Sequence, residues 1–341
     1  MTTIKDVAKD AQVSTSTVSH VLNKTRYVSE EITTRVMLAV DRLNYAPSAL
    51  ARSLKLKNTR TVGMIVTTST NPFFAEVVKG VESRCYEEGY SLLLCNTEGD
   101  LNRLRFNIDM LLQKKVDGLL LMSDETSHQH LDIFSRHKAV PTVLLDYGET
   151  SFPTDKIKDN SLQGGYLATK HLINKGHRKI GCITGAVDKP ATIKRLAGYK
   201  KAMQEAKLDI NDDWLVSGDF DFECESGLRA FDKIIATGHR PTALFVFNDM
   251  MAMGVINAAS KHGLSVPKDL SIVGYDDIKL ATFITPSLTT IHQPKFKLGK
   301  KAFNMLLDKI QGQRVGNIEL HLEPRLVDRD SVKAMLGTTL S

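Results

Sequence analysis

From residue 61 onward the chain alternates two patterns, and that alternation restricts its fold more than any other feature. Short apolar runs ("TVGMIV", "YSLLLCN", "DGLLLM", "PTVLLD", "KIGCIT", "ALFVF" and "LSIVGYD") are separated by stretches with helical spacing. Examples are "FAEVVKGVESRCYEEG", "LRFNIDMLLQKK", "GGYLATKHLINKG", "IKRLAGYKKAMQEA" and "MMAMGVINAASKHG". A nearly continuous apolar run is a strand buried on both faces, and strands alternating with helices form parallel sheets covered by helices. Seven such units, with a restart near "DNSLQGG" at 159–165, predict two doubly wound subdomains rather than one closed barrel.

The first sixty residues follow a different pattern. Thr3 can cap a helix through "IKDVAKDA", with Asp6 near the positive end of its dipole. Ile4, Val7, Ala8 and Ala11 form its apolar stripe. After the turn "QVS", Ser14 is a good cap for a second helix, "TSTVSHVLN", and Val13 and Val18 occupy the hydrophobic-staple positions. That helix is built from weak helix formers, each costing up to about 0.7 kcal/mol against Ala. Ser29 can cap a third, "EEITTRVMLAVDRLN", which Pro47 ends. Two short helices joined by a tight turn with a third behind them is the helix-turn-helix layout, and its second helix enters the major groove. The outward positions of that helix are Thr15, Ser16, Ser19, His20 and Asn23. All hydrogen-bond, and none is long, so the backbone can approach base edges closely.

Charge agrees. Residues 1–60 carry ten basic and five acidic side chains, or +5 of the total +6, and the remaining 281 residues are close to neutral. A basic head on a neutral body suits a polyanion partner. Between head and body lies "APSALARSLKLKNTR". Its helix has two turns at most, too short to persist alone, so it needs DNA or a second copy to hold it. Leu54, flanked by Arg52, Lys55 and Lys57, is placed either to wedge into a minor groove or to pack against the third helix.

In open parallel sheets ligands bind at the carboxyl ends of the strands. Those ends are polar here. Asn71, Phe73 and Phe74 follow the first strand, Ser123 and Asp124 the third, Asp146 the fourth, and Asn248 and Asp276 the last two. Arg195 follows the loop "CITGAVDKP", and Phe220 lies in "SGDFDF". Carboxylates, amides and an arginine can bond a ring of hydroxyls while aromatic rings cover its C–H faces, which suits a small polyol or sugar held between two lobes. Taken singly, each polar residue also reads as a helix cap or Asx turn, and Asp249 reads as the cap of the helix after Asn248.

Several function classes are excluded by what the sequence lacks. No run approaches the ~20 apolar residues of a membrane span, and "MTTIKDVAKDAQ" has no signal-peptide segment, so a cytoplasmic location is expected. Cys85, Cys95, Cys182 and Cys224 form no C-x-x-C pair, so neither a zinc ribbon nor a redox motif is present. Phosphate-loop, dinucleotide, zinc-protease and nucleophile-elbow motifs are missing. The two histidines of "SHQH" at 127–130 lack a third ligand. No enzyme activity, metal or cofactor is expected.

The head, "TIKDVAKDAQVSTSTVSHVLN" followed by "APSALARSLK", closely resembles that of the LacI/GalR family of bacterial repressors. The likeness continues through "VDGLLLM", "RPTALFVFNDMMAMG", "VPKDLSIVGYDD" and "LTTIHQPKFKLG". Within the family, "STNPFFAEVVKGVE", "YSLLLCNTEGD" and "IKDNSLQGG" favour the ribose-responsive members, with the purine-responsive ones as the alternative. The resemblance implies a homodimer on a near-palindromic double-stranded operator. It implies Thr15, Ser16, His20 and Arg26 at base edges, and Leu54 and Lys55 in the central minor groove. It implies a body like the periplasmic sugar-binding proteins, with D-ribose held by Asn71, Phe73, Phe74, Asp146, Arg195, Phe220, Asn248, Asp276 and Gln293. The expected organisation is an all-α head at 1–46, a hinge at 47–60, and a two-lobed α/β effector and dimerisation domain at 61–341. Its lobes fall at about 61–159 and 160–290, and the chain crosses back after 290. The expected function is a repressor that releases its operator when ribose binds. The alternative is a regulator that binds DNA more tightly with a purine corepressor.

Overall fold

The structure, a computed structural model, describes residues 2–46, 58–123, 140–145, 153–218 and 223–335. The chain divides into two compact units, Met1–Arg60 and Thr61–Ser341.

The first unit holds α1 (Ile4–Asp10), α2 (Thr15–Asn23) and α3 (Glu30–Arg42). Val7, Ala8, Ala11, Val18, Val21, Val36 and Ala39 are its core, with Val13 partly buried against them. The Ser14 hydroxyl caps α2 by accepting the Thr17 N–H at 3.0 Å. Lys24, left-handed at φ 51, ends α2. At α1 the expected capping runs in reverse. Thr3 donates both its N–H (2.8 Å) and its hydroxyl (2.7 Å) to the Asp6 carboxylate, holding that carboxyl below its ordinary range. Ser29 occupies the cap position of α3 without a side-chain bond. That helix stops at Arg42, before left-handed Asn44, several residues short of Pro47. An ion pair between Asp10 and Arg42 ties α1 to α3.

Among the described residues the second unit contains two six-stranded sheets. The first sheet is built from β1 (Thr61–Val66), β2 (Ser91–Asn96), β3 (Gly118–Met122), β4 (Thr142–Leu145), β5 (Asp155–Asp159) and β11 (Glu319–Leu322), in the order β11-β5-β4-β3-β1-β2. All its pairs are parallel. The second holds β6 (Ile180–Thr184), β7 (Leu215–Ser217), β8 (Ala243–Val246), β9 (Ser271–Asp276), β10 (Thr289–His292) and β12 (Arg325–Val327), in the order β12-β10-β9-β8-β6-β7. Among the described strands only β12 runs antiparallel. The helices are α4 (Pro72–Glu87), α5 (Leu101–Gln113), α6 (Ser161–Asn174), α7 (Pro190–Glu205), α8 (Cys224–Ala236), α9 (Asp249–Lys261) and α10 (Lys295–Ile310).

Alternate residues of each strand feed opposite layers, as sheets covered on both faces require. Met64, Val66, Leu120 and Val143 pack with Val77, Val81 and Phe303 of α4 and α10. Ile65, Leu119, Leu121 and Leu144 pack with Leu104, Ile108 and Leu111 of α5. In the second sheet Cys182, Phe245, Val273 and Tyr275 face α6 and α7.

The chain passes between the sheets three times: from β5 to α6 at Asn160, from β10 to α10 after His292, and from β11 to β12 after Leu322. The last crossing is not announced by any apolar run. Strand β5, "DKIKD", is equally disguised. Its Asp155 is fully buried and paired with Arg314, Lys158 reaches Glu319 at 3.0 Å, and Asp159 accepts the Tyr275 hydroxyl at 2.7 Å. Charges that each have a partner can be buried where an apolar side chain would be expected.

Helices α6 and α7 meet through two glycines. A Cβ at Gly165 would lie 2.2 Å from the Arg195 carbonyl oxygen, and one at Gly198 would lie 2.1 Å from that of Leu162. Only glycine allows this backbone approach, and it brings Arg195 against the strand ends. Among the described residues no helix is long and apolar enough to cross a membrane. Burial pushes the Cys85 thiol up to about 12.

Candidate functional site

In the first unit α2 turns Val18 and Val21 inward. Its other face carries exposed Thr15, Ser16 and Asn23 and half-buried Ser19 and His20, and exposed Arg26 lies just beyond. Two of these are held by neighbours. The His20 Nδ1 lies 2.9 Å from the Thr25 hydroxyl, which fixes the plane of the imidazole. The Asn23 amide donates to the Ser19 carbonyl at 2.8 Å, so part of its donor capacity is used inside the helix. Thr25 is a supporting residue that helical periodicity does not single out, because it lies past the helix end. The face offers hydroxyls, an amide, an imidazole and a guanidinium on one short helix, a set suited to base edges and phosphates. Leu54 and Lys55 lie outside the described residues.

In the second unit Arg195, Asp276 and Gln293 converge, all of them buried. The Arg195 Nη1 donates to the Phe247 carbonyl at 2.6 Å. Its guanidinium carbon lies 3.6 Å from the centre of the Tyr275 ring, and its Nη2 is 3.9 Å from the Asp276 carboxylate. The Gln293 amide donates to that carboxylate at 2.7 Å. A planar cation stacked on an aromatic ring, a carboxylate and a primary amide thus share one corner at the end of β9. Such a corner presents both donors and acceptors to a small planar polar ligand.

Other expected site residues have structural duties. Asn71 caps α4 by accepting the Phe73 N–H at 3.0 Å. Phe73 is in the core, with Phe74 edge-on to it at a centroid separation of 5.3 Å. Asn248 caps α9 by accepting the Met251 N–H at 2.7 Å. Asp249, expected as that cap, is instead fully buried. Its carboxylate accepts from the Thr290 hydroxyl at 2.6 Å and the Ile278 N–H at 2.8 Å. Burial, and then the charge of Asp276, push its carboxyl well above the usual range. Asp146 and Phe220 lie outside the described residues, as does Asp124.

Two supporting residues escape the sequence reading. Tyr275 reads as a strand residue, yet its ring carries Arg195. Lys295 reads as the first residue of a helix, yet it is 2% exposed and donates to the Asp276 carbonyl at 2.6 Å. The signal for both was adjacency in sequence to Asp276 and Gln293. Among the described residues no group of acidic, histidine or cysteine side chains could hold a metal ion.

Comparison with known proteins places these sites in context. Residues 3–48 match the family model for bacterial regulatory proteins, lacI family, and residues 169–332 that for a periplasmic binding protein-like domain. The chain is 52% identical over 333 residues to the HTH-type transcriptional repressor PurR of Photobacterium profundum, covering 98% of this chain and 99% of the relative. It is 51% identical over 335 residues to the repressor of the same name from Vibrio parahaemolyticus, covering 98% and 100%. A crystal structure of the lac repressor dimer bound to operator and the anti-inducer ONPF superposes with a TM-score of 0.88 at 30% identity, covering 98% of this chain and 99% of that one.

These likenesses overturn ribose as the effector. Relatives matching half the residues from end to end carry the name PurR. The physical reason for the misreading is visible in "NPFF", the run that favoured ribose. Asn71 is a cap, Pro72 is the first residue of α4, and Phe73 is core. The run therefore has a structural explanation of its own and does not by itself single out a sugar.

Proposed function

Because this chain belongs to the LacI family of bacterial regulatory proteins, with relatives that are transcriptional repressors rather than enzymes, we propose that it is a purine-responsive repressor whose operator affinity rises when a purine base binds. The observation that carries this reading is the end-to-end identity of about half with repressors named PurR. The corner formed by Arg195, Asp276 and Gln293 supports it. A purine base is flat and carries ring nitrogens and N–H groups around its edge, so it needs both the arginine's donors and the carboxylate's acceptors. The stacked guanidinium is already held in plane by Tyr275.

On this reading the head of each protomer enters one half-site. Thr15, Ser16, Ser19, His20 and Asn23 meet base edges, and Arg26 together with the basic surround meets base edges and phosphates. Leu54 and Lys55 reach the minor groove at the centre of the operator. Phosphate contacts make affinity fall steeply with salt. A ligand that binds one arrangement of the lobes better shifts the protein toward it, and only differential affinity for the two states can do so.

Calorimetric titration of the full chain with hypoxanthine, guanine and ribose tests the effector. Saturable binding of a purine base with no heat from ribose is expected. Binding of ribose and of neither base contradicts the assignment.

A further inference from the structure

We propose that Lys295 is a positioning residue whose ammonium group holds the Asp276–Asp277 turn in place and thereby fixes the Asp276 carboxylate in the ligand corner. The inference rests on the reading that Asp276 faces the effector. Asp276 and Asp277 have φ values of +106 and +57. Neither is glycine, so both occupy backbone conformations that side chains disfavour and that persist only where surrounding contacts impose them. Beside the Ile278 N–H on the Asp249 carboxylate (2.8 Å) and the Asp277 N–H on the Thr290 hydroxyl (3.4 Å), the contacts come from Lys295. Its Nζ donates to the carbonyls of Asp276 at 2.6 Å and Asp277 at 2.7 Å, and lies 3.5 Å from that of Gln293.

An ordinary ion pair does not account for this lysine. It is 2% exposed, and its carboxylate neighbour Glu76 sits 3.7 Å away with a side chain 37% exposed. The buried ammonium is satisfied chiefly by backbone oxygens. Those oxygens belong to the residue whose carboxylate accepts from Gln293 and faces Arg195, and to the residue after it. The Asp277 side chain is fixed separately, by His292 at 2.7 Å and by Arg329 at 2.5 Å. Lys295 also opens α10, which packs on the first sheet beside α4. The two bonds to Asp276 and Asp277 therefore join the end of β9 in the second sheet to a helix of the first.

A double-variant cycle with a structural check tests the proposal. Lys295→Met, Asp276→Asn and the double variant are titrated with hypoxanthine, and ligand-free Lys295→Met is crystallised. Lys295→Gln replaces it if the methionine variant does not fold. At least a tenfold loss of affinity is expected in each single variant, with the double variant no weaker than Asp276→Asn, because Lys295 acts through Asp276. Losses that add would show a general structural role instead and overturn the proposal. In the ligand-free crystal the Asp276 carboxylate should leave the Gln293 amide. An Asp276 that keeps its φ and its bond to Gln293 overturns the proposal, whatever the wild-type chain binds. Failure of the wild-type chain to bind hypoxanthine would count against the purine reading alone, and the crystal structure would still decide the role of Lys295.

Discussion

Arg195 and Tyr275 form a stacked pair, with the guanidinium carbon 3.6 Å from the ring centre. The Tyr275 hydroxyl in turn bonds Asp159 at the end of β5 in the other sheet, at 2.7 Å. Arg195 therefore rests on a side chain that ties the two lobes together.

Replacing Arg195 with Lys should remove the flat face that stacks on Tyr275 and the donor to Phe247, while keeping the charge. A lysine is a point charge, without the fork that meets planar partners. Hypoxanthine affinity should fall ten- to a hundredfold, or about 1.5–3 kcal/mol for a lost charge-assisted bond. Titration calorimetry reads this directly. An unchanged affinity would place the ligand elsewhere.

The packing of α6 on α7 should not tolerate a methyl group at Gly198. Its Cβ would meet the Leu162 carbonyl oxygen at 2.1 Å, and backbone cannot swing aside as a side chain can. Gly198→Ala should cost about 1–3 kcal/mol, the usual range for overpacking. Thermal melts of the full chain should show the lowered midpoint, together with weaker hypoxanthine binding because Arg195 lies on the displaced helix.

Ser14→Ala should loosen α2 without unfolding the molecule. The lost cap is worth about 1 kcal/mol, so amide exchange in α2 should speed up about fivefold, with the second unit unaffected. Equal protection in both proteins would mean that the bond from Thr17 to Ser14 contributes nothing in solution.

Asp277 predicts an acid dependence. Burial raises its carboxyl, but the bonds from His292 and Arg329 outweigh that and hold it at about 2, below its ordinary 3.8. The folded value is the lower one, so the stabilisation is complete above about pH 4 and is lost as pH falls from about 4 toward 2. The stability gap between wild type and Asp277→Asn, measured by denaturant unfolding, should be flat above pH 4 and shrink below it. The variant also removes the least of the causes that raise Asp249, the charge of Asp277, and that carboxyl has the opposite sign, so the comparison is read below pH 4, where Asp277 itself titrates.

The head was legible in the sequence because its determinants are local: a Ser14 cap, a Val13 and Val18 pair, and apolar residues at helical spacing. The doubly wound body was legible for the same reason, wherever strands were apolar. Strand β5 was hidden, because Asp155, Lys158 and Asp159 take their partners from Arg314, Glu319 and Tyr275, more than a hundred residues away. The candidate ligand corner was half legible. Sequence marks polar residues at strand ends, but it cannot separate Asn71 and Asn248, whose oxygens cap helices, from Arg195, Asp276 and Gln293, which face one another. The effector was misread because a helix cap and a core phenylalanine carry no mark of one ligand class over another when only their order is known.

If a purine base tightens the grip on DNA, operator affinity must rise when hypoxanthine is present. A near-palindromic operator selected from random DNA by the full-length protein is titrated at fixed salt, with ribose as the comparison. Binding should tighten at least tenfold with hypoxanthine, about 1.4 kcal/mol of coupling, and stay unchanged with ribose. Affinity that ignores hypoxanthine, or falls when it is added, would rule out a purine corepressor.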